Sequence, residues 1–479
     1  MNDMILILNY ADEFSIEIAR RLRAEQVYAR IISGMVTAQQ VREIAPRGII
    51  LSGEAGGKLG AFDADILALG VPVLAFGHAS HMLLAACGGA CAGTALSEKK
   101  AYVEYGRSLL FTGVAGGERY LKESRTLMLP ADVQEIAEAG GCTVAYEDEQ
   151  KKLYGVQFEL ERNDPEGSAI LKNFARDICG CSAWWSLDAA LAEAERVLEA
   201  QAARGGEAVC AVSGGVDSTV AALLAHRAFG GRMTAVFVDT GLLRKGEAES
   251  VSAMYEALGI PLLYVDHSAE ILSALVGRKT PEEKREVVVN SLYDEICRRG
   301  SVMTGEKTLV LGTNYSDFLQ NGSNASNWKG SGMTVTEPLL ELFKDEVRSI
   351  AQRLGMPQEM VSRKPFPALG LGARIVGEIT AARLGILRTA EAVFREEICE
   401  AGMERKLYKY FPVMLTGDAS GHEVIVLRAV TLTGGMLLPA RLPYDLIERS
   451  VQRIMEAAPS VLRVLYDSTP TPVDQEMFS

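Results

Sequence analysis

Short apolar runs alternate with a helical stretch along the first third of the chain. The runs "MILILNY" (4–10), "ARIIS" (29–33), "GIILSG" (48–53) and "PVLAFG" (72–77) are almost continuously apolar, with glycine and proline at their boundaries. Such runs are typical of strands that are buried in a parallel sheet. Between the first two runs, residues 14–26 have the periodicity of an amphipathic helix. The pattern therefore predicts an α/β domain.

The same alternation begins again after residue 186. Residues 186–204 predict an Ala- and Glu-rich amphipathic helix that links two domains, with Ser186 as its N-cap. Further buried strands are predicted at 208–212, 233–239, 261–266 and 308–313. In doubly wound sheets of this kind, ligands bind beyond the C-terminal ends of the strands.

The pattern changes near residue 376. A long helix is followed by strands around "EVIVLRAVTL", by the helix "DLIERSVQRIMEAA" and by a last strand, "VLRVLYD". The predicted fold class is therefore α/β, with two doubly wound parallel-sheet domains and a small C-terminal α+β domain. The predicted domains are 1–185, 186–375 and 376–479.

Composition and charge exclude several classes of function. The 479 residues include 49 Lys and Arg against 62 Asp and Glu, a net charge of −13. This argues against a nucleic-acid binder, which needs clustered basic residues. No apolar run approaches the roughly 18 residues of a membrane span, and the start of the chain lacks the basic region of a signal peptide. The eight cysteines form no C-x-x-C pair, so we expect reduced thiols in a cytoplasmic protein.

The stretch after the strand at 208–212 predicts an anion site. Residues 213–218, Ser-Gly-Gly-Val-Asp-Ser, lie between a buried strand and a helix. Glycines let backbone N–H groups converge, Ser213 and Ser218 add hydroxyl donors, and a helix N-terminus favours negative charge. The lysine of the common nucleotide-binding loop is missing.

The pattern S-G-G-x-D-S resembles the pyrophosphate-binding loop of the ATP pyrophosphatases, which cleave ATP between its α and β phosphates. Together with "FVDTGLLRKGEAE" (237–249), "LGTNYSD" (311–317), "EPLLELFKDEVR" (337–348) and "ARLPYDLIERSVQRI" in the tail, it makes nearly the whole chain similar to the GMP synthetase family. The resemblance implies a class I glutamine amidotransferase domain, an ATP pyrophosphatase domain and a dimerisation domain. In that family ATP adenylates the carbonyl oxygen of xanthosine monophosphate, and ammonia then displaces AMP.

The resemblance also implies roles for individual residues. The residues expected to bind ATP and pyrophosphate are Ser213, Gly214, Gly215, Val216, Asp217, Ser218, Val238 and Leu242. The expected catalytic residues are Ser213, Asp217, Ser218, Asp317 and Lys344. Asp217 would hold the metal ion, and Asp317 is a candidate for binding Mg²⁺ or for orienting the acceptor. The expected acceptor-binding residues are Arg244, Lys364 and Arg374. The implied cofactors are ATP and Mg²⁺, and the implied partners are a purine nucleotide-like acceptor, ammonia and a second copy of the chain.

The amidotransferase domain departs from the family at its catalytic positions. Gly77 stands where the family has the cysteine of G-I-C-Y-G-x-Q, and Glu159 stands at the histidine of Q-F-H-P-E, whose last glutamate is retained as Glu161. The oxyanion turn S-G-G-P reads Ser52-Gly53-Glu54-Ala55, and a carboxylate there would oppose a developing oxyanion. Hydrolysis needs both a nucleophile and a base, so we predict that glutaminase activity is absent.

Other side chains offer weak substitutes for the missing nucleophile and base. Cys87 lies ten residues beyond Gly77, which is about 15 Å along a helix. His78 and His81 could form a repurposed site, but packed or surface histidines are the simpler interpretation.

The acceptor region has also diverged. The family's H-P-F-P-G-P-G-L-x-x-R corresponds to residues 364–374, where Lys364 replaces the histidine and Arg374 is retained. The K-S-H-H-N lid region is shortened to "NASNWKGSGMT", and Thr471 replaces the lysine that meets the nucleotide phosphate in the family. Lys364 either supplies the lost positive charge or is solvated. We therefore expect ATP activation to be intact and the acceptor to be xanthosine monophosphate or a related purine nucleotide.

Three functions are compatible with these residues. The first is an ATP-dependent ligase that transfers free ammonia to a purine nucleotide. The second is a sulfur transferase with the same loop, which would need a reactive cysteine nearby, and Cys210 lies in the preceding strand. The third is a non-catalytic protein that binds a nucleotide and regulates a partner. We favour the first, because a binding module has no need to hold a departing pyrophosphate.

Overall fold

The computed structural model of the protein describes residues 3–10, 14–53, 62–96, 99–121, 124–160, 165–364, 366, 369–416, 422–433 and 436–472. The chain divides into two compact units, Met1–Ala190 and Leu191–Ser479. Within the described ranges, no helix is both long enough and apolar enough to cross a membrane.

The first unit contains a nine-stranded sheet whose first half is parallel. The strands of this unit are β1 (Ile5–Tyr10), β2 (Ala29–Ser33), β3 (Gly48–Gly53), β4 (Val73–Gly77), β5 (Ala90–Thr94), β6 (Lys100–Tyr105), β7 (Gly117–Tyr120), β8 (Arg125–Met128), β9 (Gln134–Ala139), β10 (Cys142–Asp148) and β11 (Leu153–Val156). Its helices are α1 (Phe14–Ala24), α2 (Ala38–Ile44), α3 (His78–Ala86) and α4 (Pro165–Lys172). The sheet order is β2-β1-β3-β4-β11-β10-β9-β6-β7. The four strands that the apolar runs predict are thus confirmed as neighbours.

The second half of this sheet is antiparallel. Strand β11 still pairs parallel with β4, but β10, β9, β6 and β7 follow in antiparallel order, and β5 and β8 form a separate pair. These strands carry polar residues on one face, as in "KAYVEY" of β6 and "QEIAEA" of β9. They lack the continuous apolar runs of the parallel half, so the sequence analysis did not predict them.

The second unit begins with a parallel five-stranded sheet of order β14-β13-β12-β15-β16. Its strands are β12 (Ala208–Val212), β13 (Met233–Asp239), β14 (Leu262–Asp266), β15 (Thr308–Val310) and β16 (Thr334–Thr336). The helices are α5 (Leu187–Ala202), in which the division between the two units falls, α6 (Val216–Phe229), α7 (Glu247–Ala257), α8 (Ser268–Ala274), α9 (Pro281–Val302), α10 (Tyr315–Asn321), α11 (Lys344–Arg353) and α12 (Gln358–Val361). The predicted parallel α/β sheet is confirmed.

The order of these strands positions the candidate site. Strand β12 comes first in the chain, and its later neighbours β13 and β15 lie on its two sides. The connections leave β12 and β15 in opposite directions, which opens a crevice beyond their C-terminal ends. The Ser-Gly-Gly-Val-Asp-Ser stretch follows β12, and Asn314 follows β15. Both segments therefore border the crevice.

A second, mostly antiparallel sheet completes the unit. Its elements are α13 (Ala381–Glu400), β17 (Lys409–Leu415), β18 (Glu423–Thr433), β19 (Met436–Pro439), α14 (Tyr444–Ala457), β20 (Val461–Tyr466) and β21 (Thr471–Pro472). Strand β18 pairs antiparallel with β17 and β19 and parallel with β20. Glu397 of α13 accepts bonds of 2.9 Å from both Arg449 and Arg453 of α14, which ties the two helices together. The predicted α+β tail is present from α13 onward.

Candidate active site

The loop between β12 and α6 is folded around two serine hydroxyls. The Ser218 hydroxyl accepts a bond from the backbone N–H of Ser213 (3.2 Å) and donates one to the carbonyl of Gly215 (3.1 Å). The Ser213 and Ser218 hydroxyl oxygens are 3.2 Å apart. Helix α6 begins at Val216, and no side chain of this described segment caps its N-terminus. Its first amide groups are therefore available to bind an anion.

Gly214 and Arg363 fix the shape of this loop. Gly214 has a φ of +75°, a conformation that favours glycine, and a Cβ there would overlap the side chain of Val251. The Gly214 carbonyl accepts a 3.0 Å bond from Nη1 of Arg363, whose Nη2 lies 2.5 Å from a carboxylate oxygen of Glu247. The loop is thus held from a segment that lies 149 residues further along the chain.

Asp217 lies where the loop meets the segment after β15. Its Oδ2 accepts a 3.2 Å bond from Nδ2 of Asn314 and lies 3.8 Å from Nζ of Lys344. Asn314 caps α10 and exchanges reciprocal bonds with Asp317 in a capping box. Burial raises the pKa of Asp217; the charge of Lys344 opposes this shift, and the charge of Asp317 adds to it. The structure thus brings together the predicted residues Asp217, Asp317 and Lys344.

The carboxylate of Asp217 fits a magnesium ion. Its second oxygen, Oδ1, is buried and has no hydrogen-bond partner among the described residues. Mg²⁺ is usually held by one or two carboxylates together with phosphate oxygens and water. In the part of the chain that the structure describes, no three or more His, Cys, Asp and Glu side chains cluster as a complete metal site. A bound ion would therefore take its other ligands from a phosphate group and water.

A cavity of about 380 Å³ opens beside this loop. Its polar lining consists of residues 213–217, Thr240, Glu247, Lys344, Arg348, Arg363 and Lys364. Its apolar lining includes Val236, Val238, Leu292, Ile296 and Trp328. The Trp328 ring stacks on Tyr293 of α9, with 4.9 Å between ring centres. A cavity with cationic and apolar parts suits a nucleotide, which has an anionic phosphate chain and an aromatic base.

Two of the predicted acceptor-binding residues stack on one aromatic ring. The guanidinium groups of Arg244 and Arg374 lie 4.1 Å and 5.4 Å from the ring centre of Phe366. Arg244 also lies 3.4 Å from a carboxylate oxygen of Glu391, and burial lowers the pKa of its guanidinium. Phe366 lines the cavity, but neither arginine does. These two predicted residues therefore contact the cavity lining through Phe366 and do not belong to the lining themselves.

Of the other predicted binding residues in this unit, some line the cavity and one is buried away from it. Lys364 lines the cavity and donates a 2.6 Å bond to the carbonyl of Leu407, and burial lowers its pKa. Lys364 is therefore not a solvated lysine. Val238 lines the cavity as predicted, whereas Leu242 is fully buried and its carbonyl accepts the N–H of Leu371 at 2.8 Å.

In the first unit, Gly77 lies at a sharp turn from β4 into α3. Its φ of 55° and ψ of −128° give it a left-handed conformation between strand and helix, an arrangement typical of a nucleophile elbow. Among the residues that the structure describes, a Cβ at this position would meet only the carbonyl of Gly53, at 3.7 Å. The backbone thus has the shape of an elbow that carries a nucleophile, but the residue has no side chain.

The predicted base position is occupied by an acidic residue. Glu159 forms an isolated bridge with Tyr120, whose carbonyl accepts its N–H at 2.9 Å. Glu161, Glu54 and Ala55 lie outside the described residues.

The proposed substitutes are packed or distant. His81 is buried, and its Nε2 lies 2.9 Å from Oε1 of Gln157. Its ring also makes an edge contact with His78, with 5.5 Å between ring centres. Cys87 follows the last residue of α3, at the opposite end of the helix from Gly77, and burial raises the pKa of its thiol. The interpretation of packed histidines therefore fits the structure.

The residues of the site that the sequence analysis missed include Asn314, Arg363 and Trp328. Asn314 had a local signal, because "NYSD" after a strand is a capping-box pattern. Arg363 and Trp328 had no such signal, since both reach the site through contacts that are distant in sequence.

Known proteins resemble the chain over its whole length. Residues 192–380 match the family model described as NAD synthase. The chain is 36% identical to a GMP synthase (glutamine-hydrolyzing) of Geobacillus kaustophilus, with 98% of each protein covered. Proteins of the same name from Bacillus cereus and Enterococcus faecalis are each 34% identical over 98% of this chain, with 98% and 97% of their own lengths covered.

We expect Asp217→Asn to stabilise the fold near neutral pH. Because burial raises the pKa of Asp217, the folded protein keeps the proton of this carboxyl group to a higher pH than the unfolded chain does. The stability of the fold therefore falls as the pH rises from the pKa of the unfolded chain to that of the folded protein. The amide avoids this cost. In urea titrations at about pH 7, the variant should unfold at a higher urea concentration than the unmodified protein, and the difference should shrink towards about pH 4.

The exposed Asp294→Asn variant of α9 serves as the control, because no burial penalty applies to it. Equal midpoints for Asp217→Asn and the unmodified protein at neutral pH would contradict the expectation, as would a gain that grows on acidification.

Proposed function

The chain belongs to the GMP synthase family, and on that premise we propose that it aminates a purine nucleotide with free ammonia and does not hydrolyse glutamine. The proposal rests above all on the Ser-Gly-Gly-Val-Asp-Ser loop, which borders a cation-lined cavity at the switch point of a parallel sheet. The acceptor is xanthosine monophosphate or a related purine nucleotide.

The proposed reaction has two steps. A carbonyl oxygen of the purine attacks the α-phosphorus of ATP, and the bond to the bridging oxygen breaks as pyrophosphate leaves. Ammonia then adds to the activated carbon and loses a proton, and AMP leaves with the electrons of the carbon–oxygen bond. The first step makes the second possible, because a lactam oxygen leaves poorly whereas an adenylate leaves readily.

The loop and its neighbours would stabilise the departing pyrophosphate. Backbone N–H groups at the start of α6, the hydroxyls of Ser213 and Ser218, and the ammonium of Lys344 are all donors beside the cavity. Preorganised donors of this kind act where charge develops in the transition state. Val238 and the neighbouring apolar wall would accommodate the adenine ring.

Mg²⁺ held by Asp217 and phosphate oxygens would neutralise charge on the leaving group. Asp217 is oriented by Asn314, and Asn314 is fixed in turn by its reciprocal bonds with Asp317. We therefore propose that Asp317 positions the site through Asn314.

We assign acceptor binding to Lys364, Arg244 and Arg374, of which the two arginines stack on Phe366. Lys364 lines the cavity, and the two arginines place positive charge against the ring that also lines it. The carbonyl of Leu407, which holds Lys364, belongs to the proposed C-terminal domain.

Two features support free ammonia as the nitrogen source. Gly77 occupies the elbow without a nucleophilic side chain, and Glu159 offers a carboxylate where a histidine base is needed. Hydrolysis of an amide by this type of site requires both groups. Cys87 lies at the far end of α3 and has a raised pKa, which opposes a substitute role.

The alternatives have weaker support. A sulfur transferase would need a reactive thiolate, but Cys210 is fully buried in β12, and burial raises its pKa to about 12. A purely regulatory nucleotide-binding protein would not need the groups that stabilise a leaving pyrophosphate. A cytoplasmic location and the domain limits 1–185, 186–375 and 376–479 stay predictions of the sequence.

A homodimer is proposed from the C-terminal elements. Large apolar side chains are exposed on α14, β19 and β20, namely Tyr444, Met455, Leu438, Leu462 and Leu465. Apolar groups of this size on the surface favour association, and a two-fold dimer would use the same face on both subunits.

The double variant Ser213→Ala with Asp217→Ala tests the proposed site. It removes a hydroxyl donor and the carboxylate, and loss of one well-placed donor typically lowers kcat by about 10²–10³-fold. We expect no measurable pyrophosphate release from ATP with xanthosine monophosphate and ammonium, while circular dichroism shows a retained fold. The exposed pair Ser250→Ala with Asp294→Ala should keep full activity. Pyrophosphate release by the Ser213→Ala, Asp217→Ala variant at the unmodified rate would show that the loop is not the site.

The nitrogen source is tested by comparing ammonium with glutamine. We expect product formation with ammonium and ATP, and none with glutamine in ammonia-free buffer, because Gly77 and Glu159 cannot form an acyl-enzyme. Glutamate is measured in parallel, with heat-inactivated protein as the control. Glutamate released in step with product would refute this part of the proposal.

The assembly is tested by light scattering on the full chain and on a truncation that ends at residue 375. We expect the full chain to be a dimer at micromolar concentration, and the truncation to be an inactive or poorly soluble monomer. A full-length monomer of 51.7 kDa would refute the dimer. An active truncated monomer would refute the coupling of assembly to activity.

A further inference from the structure

Arg348 is a cation of the cavity to which the family resemblance gave no role. It lies on α11, four residues after Lys344, and residues at this spacing share one face of a helix. Both side chains line the cavity beside the 213–217 loop. Arg348 is therefore one helical turn from the lysine that contacts Asp217.

The other cations of the cavity already have protein partners. Lys344 lies 3.8 Å from Asp217, Arg363 lies 2.5 Å from Glu247, and Lys364 donates to the carbonyl of Leu407. Arg348 differs from them. Its Nε is buried without a hydrogen-bond partner, and no residue that the structure describes forms an ion pair with its guanidinium.

The charge of Arg348 also affects the pKa values of two neighbouring residues. Burial raises the pKa of Asp217 and lowers the pKa of Lys364, and the positive charge of Arg348 is a smaller influence that lowers both. The guanidinium thus lies within electrostatic reach of the proposed metal ligand and of Lys364.

A buried guanidinium nitrogen without a hydrogen-bond partner, such as Nε of Arg348, is costly in free energy. The cost is offset when an anion enters, and a guanidinium binds two phosphate oxygens at once through its planar fork. The proposed reaction brings such an anion to the loop, since pyrophosphate gains charge when it separates from the α-phosphorus.

We propose that Arg348 is a catalytic residue that binds the departing pyrophosphate. This inference rests on the proposed function and adds a residue to its site. As the bond between the α-phosphorus and the bridging oxygen breaks, its electron pair stays on the pyrophosphate oxygen. Arg348 keeps its proton throughout and stabilises that charge through hydrogen bonds. Its contribution is therefore greater in the transition state than with bound ATP.

The test compares Arg348→Met and Arg348→Lys in the full-length protein. The control is Arg353→Met, an exposed arginine on the same helix. Calorimetry with inorganic pyrophosphate and magnesium chloride measures anion binding. We expect the Kd to rise at least tenfold in Arg348→Met, to rise less in Arg348→Lys, and to stay unchanged in the control.

Thermal unfolding distinguishes anion binding from a structural role of Arg348, because the two roles predict opposite changes in the Tm of the ligand-free variant. Without ligand, Arg348→Met should unfold at a higher temperature than the unmodified protein, because the buried, unpartnered Nε is gone. At one fixed concentration, pyrophosphate should raise the Tm of Arg348→Met by less than it raises the Tm of the unmodified protein and of Arg353→Met. In turnover, kcat for pyrophosphate release should fall at least tenfold while KM for the acceptor is retained.

The outcomes separate this inference from the proposed function. Equal pyrophosphate affinity in Arg348→Met and Arg353→Met, or no pyrophosphate binding by the unmodified protein, would overturn the role of Arg348. Binding that depends on Arg348, without pyrophosphate release from ATP and any purine nucleotide with ammonium, would support the anion site and refute the ligase. If Arg348→Met fails to fold, the test relies on Arg348→Lys. In that case, an unchanged kcat and an unchanged pyrophosphate affinity in Arg348→Lys would assign a structural role to Arg348.

Discussion

The segment after β15 passes the start of α6 at a distance that only glycine allows. A Cβ on Gly312 would lie 2.6 Å from Cα of Ser218 and 2.7 Å from its backbone nitrogen. This close approach sets the two walls of the crevice at the switch point of the sheet. It brings Asn314 within 3.2 Å of Asp217, and so fixes one carboxylate beside the anion-binding turn. The positions of the loop, of the capping residue and of the proposed metal ligand all depend on this one contact.

The electrostatics of the cavity follow from its position at this crevice. Among the described residues, four cationic side chains line it, whereas only Asp217 and Glu247 contribute carboxylates to its lining. An excess of positive charge in a cavity lowers the stability of the protein without ligand, and a polyanion would offset that cost. Such local conflicts between stability and charge are expected at functional sites and not in a structural core. The raised pKa of Asp217 belongs to the same conflict, since burial disfavours its ionised form despite the nearby Lys344.

Local patterns in the sequence predicted the parallel strands and the glycine turn after β12, because buried strands and glycine turns depend on neighbouring residues. The antiparallel half of the first sheet was missed, since strands such as "KAYVEY" alternate polar and apolar residues. Contacts between distant segments were also beyond local patterns. No spacing rule reveals that Arg363 holds the carbonyl of Gly214, or that Arg244 stacks on Phe366. The family resemblance supplied Leu242 as a binding residue, but its side chain packs in the core.

Gly77 and Gly214 both have a positive φ, but the structure favours glycine at the two positions for different reasons. At Gly77 the φ of 55° would cost a non-glycine residue roughly 1–3 kcal/mol, and among the described residues a Cβ would meet only one carbonyl, at 3.7 Å. Glycine adopts this turn between strand and helix without that strain. At Gly214 the φ is also positive, but a Cβ would overlap Val251. Packing around the 213–218 loop therefore demands glycine at Gly214, whereas at Gly77 it is the backbone conformation that favours glycine. A side chain at Gly214 would disturb the turn that we propose as the anion site.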